Sequence, residues 1–100
     1  MSDEYTTGSY WMEMLKAHNW MPWKRQMMAV LRDLGLEKYI AKDRCDEKWA
    51  EGDAKVQTRI ELTISDAEMI HISGAMTAQE MWDQLTMVKE SNSRLGVLAT

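Results

Sequence analysis

From residue 19 to residue 39 apolar and polar positions alternate with a period near 3.6. Trp20, Trp23, Met27, Val30, Leu31 and Leu34 recur at i, i+3, i+4 and i+7 spacings and share one helix face, while Lys24, Arg25, Arg32 and Asp33 take the other. Asn19 stands where an N-cap belongs, Pro22 falls in the first turn where its missing N–H costs little, and Gly35 stands where a left-handed C-cap is expected. The pattern predicts a helix over residues 20–34. A short helix or turn at 36–41, pinned by Leu36, Tyr39 and Ile40, and a charged connection at 42–48 follow. Helical spacing resumes over residues 47–64, where Trp49, Ala50, Ala54, Val56, Gln57, Ile60 and Thr63 or Ile64 form a seam that tolerates Gly52 at some cost in propensity. Thr58, Ile60, Thr63 and Ile64 individually suit a strand, but no second strand of comparable length is there to pair with them.

Two capping boxes come next. Ser65-Asp66-Ala67-Glu68 and Thr77-Ala78-Gln79-Glu80 each set a hydroxyl N-cap three residues before a glutamate, and each predicts a helix start. The first helix is short, because Ser73-Gly74 interrupts it after Met69, Ile70 and Ile72. The second runs over residues 78–91, burying Met81, Trp82, Leu85 and Val88 or Lys89 and exposing Glu80, Asp83, Gln84 and Glu90. Residues 95–100 begin another apolar segment and read as the start of a further helix in a longer polypeptide. The expected architecture is all-α, a compact bundle of four to five helices over residues 19–94 behind an N-terminal arm, residues 1–18. Its core anchors are Trp20, Trp23, Met27, Leu31, Leu34, Trp49, Ile60, Met81, Trp82 and Leu85.

Composition bounds the function. One hundred residues, 45% of them hydrophobic and 28% charged, make one globular domain and exclude disorder over the whole chain. No apolar run approaches the roughly 18 to 20 residues of a membrane span, and the polar, acidic start is wrong for a secretion signal, so a cytoplasmic protein is expected. Cys45 is the single cysteine, reads as a loop thiol and forms no internal disulfide. Neither His18 nor His71 has metal-ligand spacing, the five glycines are scattered, and Asp66 and Glu68 are explained as first-turn partners of a positive helix terminus, although Glu61, Asp66 and Glu68 could gather at a helix junction. No enzymatic activity, cofactor or metal is expected.

Ten methionines and five tryptophans without a phenylalanine exceed what a small core needs, and both residue types suit surfaces that accept a partner. Tyr10, Trp11, Met12, Met14 and Leu15 cluster ahead of the first helix. If that segment is helical they cannot all face one core, which makes it either an arm folded back on its own domain or a self-association or partner interface. Charge is uneven as well. Residues 16–44 hold seven bases and three acids, net +4, and residues 45–100 hold five bases and ten acids, net −5, within a chain of net charge −4. A basic region beside an acidic one suits head-to-tail association between copies, with Lys24, Arg25, Arg32, Lys42 and Arg44 as the candidate charged interface. The same five residues could touch RNA weakly, but no aromatic stacking platform is interleaved with them and the domain is acidic overall.

Asn19, Trp20, Trp23, Lys24 and Met27, then Leu31 to Tyr39, the helix over 49–64 and the run Thr77-Ala78-Gln79-Glu80-Met81-Trp82-Asp83-Gln84-Leu85 resemble, in order and spacing, the Gag polypeptide of copia-type LTR retrotransposons, with a fungal flavour. The resemblance covers residues 15–98. It implies a capsid-like N-terminal lobe that self-associates into particles around the element's RNA. The chain departs from the pattern at Ala17 and His18, where a glycine usually precedes the Asn-aromatic pair, and its single cysteine rules out a zinc knuckle, so RNA packaging falls to sequence outside this segment. A domesticated module that takes a host peptide in an apolar groove lined by surplus Trp and Met is the alternative, and a weak RNA-binding module is another.

Overall fold

A computed structural model describes residues 4–7, 10–41 and 47–98, with side chains for residues 12–41 and 47–91. The body is the expected all-α bundle: α1 (Trp20–Asp33), α2 (Lys38–Ala41), α3 (Glu47–Leu62), a 3-10 helix (Asp66–Ile72) and α4 (Ala78–Leu98). A short antiparallel ribbon precedes it, β1 (Glu4–Thr7) paired with β2 (Tyr10–Glu13) in a backbone register that sets Tyr5 across from Met12 and Thr6 across from Trp11. α4 packs on α2, α3 and the 3-10 helix, and β2 lies against α1.

The apolar stripe of α1 is buried as its periodicity requires, at Trp20, Trp23, Met27, Val30 and Leu31. Trp20 and Trp23 meet Trp82 of α4, with ring centroids 5.8 Å apart within the α1 pair and 6.2 and 5.9 Å from Trp82, and these three indoles hold the two longest-separated helices of the bundle together. Leu34 departs from its assignment as a core anchor: it is the C-cap of α1 and is 39% exposed. The chain turns there because Gly35 adopts φ +74, its amide donating to Arg32 O and that of Leu36 to Leu31 O, the two bonds of a Schellman ending. The remaining anchors, Trp49, Ile60, Met81, Trp82 and Leu85, are buried.

The two capping boxes part company. At Thr77 the hydroxyl accepts from the Glu80 amide at 3.1 Å, and the Glu80 carboxylate reaches back one residue further than usual, to the Met76 amide at 2.7 Å. At Ser65 no side-chain cap forms, and Glu68 turns into the interior, where it pairs with Lys89 of α4. Burial of an ion pair has overridden the local motif. Asn19 likewise does not cap α1; its amide accepts from Lys16 N at 2.6 Å and donates to Met14 O at 2.9 Å, tying the preceding chain to the helix start. Gly52 is a packing requirement in the middle of α3: a Cβ there would overlap the ring of Tyr39, which meets Trp49 in a tilted contact with centroids 4.5 Å apart.

The backbone of α4 continues to Leu98 instead of ending near Ser91, so no new element begins at residue 95. Nothing in residues 92–95 is a proline, and Gly96 weakens a helix without stopping it.

Candidate functional site

Three buried polar groups fix the frame. Asp53, inside the bundle, accepts from the Ala78 amide at 3.1 Å and from Gln57 Nε2 at 2.7 Å, so a carboxylate of α3 sits on the positive N-terminus of α4. Glu68 pairs with Lys89, their side chains 7% and 10% exposed, while His71 Nε2 lies 3.6 Å from the same Glu68 oxygen. Thr63 O accepts twice, from Leu15 N at 2.8 Å and from Trp23 Nε1 at 2.9 Å, and so joins arm, α1 and the end of α3 at one atom. Each of these groups has a partner within the fold. Glu61, Asp66 and Glu68 do not act together: the first two are exposed and the third is turned inward. Among the described residues no three His, Cys, Asp or Glu side chains gather to hold a metal ion, and no helix is long and apolar enough to cross a membrane.

The proposed N-terminal interface is corrected in part. Met12 and Leu15 are 1% and 0% exposed and belong to this chain's own core, and Met14 is half-buried. In a strand the side-chain period is 2, not 3.6, so Met12 points at α1 while Glu13 faces solvent. Leu15 then forms a parallel bridge with Ile64, closed by Leu15 N to Thr63 O and Ser65 N to Leu15 O. The side chains of Tyr10 and Trp11 lie outside the described ones.

The charged interface divides similarly. Lys24 Nζ is held 2.6 Å from Glu90 Oε2, an oxygen that also accepts from Trp20 Nε1 at 3.1 Å. Arg25 is exposed, Arg32 makes one exposed 3.5 Å contact with Glu37, and Lys42 and Arg44 lie outside the described residues. Around Lys24, Arg25 and Arg32 the outer side of α1 adds Met21, Met28 and Ala29, and among the described residues these six line an open hollow of about 340 Å³. Their spacing, i, i+3, i+4, i+7, i+8 and i+11, is a second stripe on the same helix. Reading the charges alone passes over it; the two methionines were the signal. Met21 is 63% exposed, and Ile70, Met76 and Met87 are 73%, 79% and 61% exposed elsewhere on the surface.

No family model, no curated protein and no solved structure matches this chain.

Proposed function

We propose that this chain is a non-enzymatic, capsid-like domain of a copia-type Gag polypeptide that self-associates during particle assembly in the cytoplasm. The observation that carries this reading is the division of side chains. The buried ionisable groups Asp53, Glu68 and Lys89 brace the helices, whereas Met21, Ile70, Met76 and Met87 are left 61–79% exposed. Met21 adjoins the half-buried Met28 on the outer side of α1, and contiguous apolar surface marks sites that associate; the motif order over residues 15–98 supports the family. Packaging of the element's RNA belongs to sequence outside this segment.

Sedimentation velocity of the purified chain from micromolar to millimolar concentration, with and without RNA, tests this. Oligomers that grow with protein concentration alone are expected. A monomer across the whole range contradicts the proposal, and submicromolar RNA affinity at physiological salt moves the function to nucleic-acid binding.

A further inference from the structure

We infer that one copy's α1 packs its outer stripe antiparallel against the outer stripe of α4 in the next copy, with an ion pair between Arg25 and Asp83 at the centre. This rests on the self-association reading and names its contact surface. On α1 the stripe is Met21, Arg25, Met28 and Arg32, at i, i+4, i+7 and i+11. Measured from Met76, just ahead of α4, the residues Glu80, Asp83 and Met87 fall at the same i+4, i+7 and i+11. The three helical ones lie opposite the buried positions Ala78, Met81, Trp82 and Leu85.

The two stripes have opposite charge. The outer side of α1 contributes Lys24, Arg25 and Arg32, and that of α4 contributes Glu80 and Asp83. Intramolecular bonds select the central pair. Lys24 is held by Glu90, Arg32 touches Glu37 and Glu80 is held by the Met76 amide, whereas among the described residues Arg25 and Asp83 are exposed and make no ion pair. Setting Arg25 against Asp83 antiparallel brings Met21 opposite Met87, each four residues away, and the two are 63% and 61% exposed. The parallel alternative sets Met21 opposite Gln79 and leaves Met87 facing Ala29. Because the two stripes are different surfaces of one chain, a contact that is not returned across a two-fold axis repeats from copy to copy, closing into a ring or growing as an open array.

The test is sedimentation velocity of the full chain and three variants at physiological salt, with helix content and melting temperature checked alongside. Arg25→Glu and Asp83→Arg are each expected to weaken self-association at least about tenfold, since like charges are then juxtaposed. The double variant Arg25→Glu/Asp83→Arg rebuilds the pair in reverse and is expected to recover it, with all four proteins equally folded. If the wild type self-associates and Asp83→Arg leaves it unchanged, or if the double variant stays as weak as the singles, this pairing is wrong while the self-association reading stands. A wild-type chain that remains monomeric throughout overturns both.

Discussion

The inward face of α1 puts Trp20, Trp23, Met27, Val30 and Leu31 into the core, and its outward face carries Met21, Lys24, Arg25, Met28, Ala29 and Arg32 around a hollow. Both stripes follow helical periodicity and both contain methionine. They differ in what meets them: indoles of the same chain inward, nothing from the described chain over Met21 and Arg25 outward. A stripe that its own fold covers contributes to stability, and one that its own fold leaves open is available for the association proposed above. The same helix therefore separates the two properties, and substitutions on its two sides should separate them in measurement.

The largest effect is expected on the closed side. Trp23→Ala removes a side chain 2% exposed together with its bond to Thr63 O, and a loss of roughly 3 to 5 kcal/mol is expected by urea denaturation. A loss below about 1 kcal/mol would mean that the inward stripe does not hold the bundle. Next is Gly52→Ala, which forces a methyl into the Tyr39 ring and should cost about 1 to 3 kcal/mol despite the better helix propensity of alanine. Combining it with Tyr39→Ala should give less than the sum of the two losses; strict additivity would separate Gly52 from Tyr39. At the seam between the faces, Glu90→Ala removes the acceptor that Trp20 and Lys24 share, and about 1 kcal/mol is expected, reduced by salt because the pair is partly solvated. Smallest for stability is Met21→Ser on the open side, within about 0.5 kcal/mol, with weaker self-association as its visible consequence. A Met21→Ser chain that melts early would show that the outward face belongs to the fold after all.

How much of this was legible depended on whether local pattern or tertiary contact decided each position. The inward stripe of α1 and the glycine after it were readable, because periodicity and a left-handed C-cap are local properties. Thr77 and Ser65 present the same four-residue signature, yet only Thr77 forms its cap; Glu68 is drawn inward by Lys89, 21 positions later, which no local motif records. Of the two readings of the arm, the one folded back on its own domain holds for Met12 and Leu15, and the interface reading fails there for a related reason. Testing Tyr10 to Leu15 against a helical period made leftover apolar surface inevitable, whereas a strand places Met12 inward and lets Leu15 pair with Ile64. Gly52 read as a weak point in a helix and is instead the space that Tyr39 fills. On the candidate surface the charges Arg25 and Arg32 were visible, and the methionines between them were passed over because they lie off the stripe that predicts the core.

The most direct measurement uses the methionines themselves, as methyl signals in NMR spectra of chain labelled at methionine methyls, followed as protein concentration rises. The account predicts that Met21 and Met87 shift or broaden with concentration while Met12, Met27 and Met81, all buried, stay fixed. Signals from Met21 and Met87 that do not move while oligomers form would contradict it.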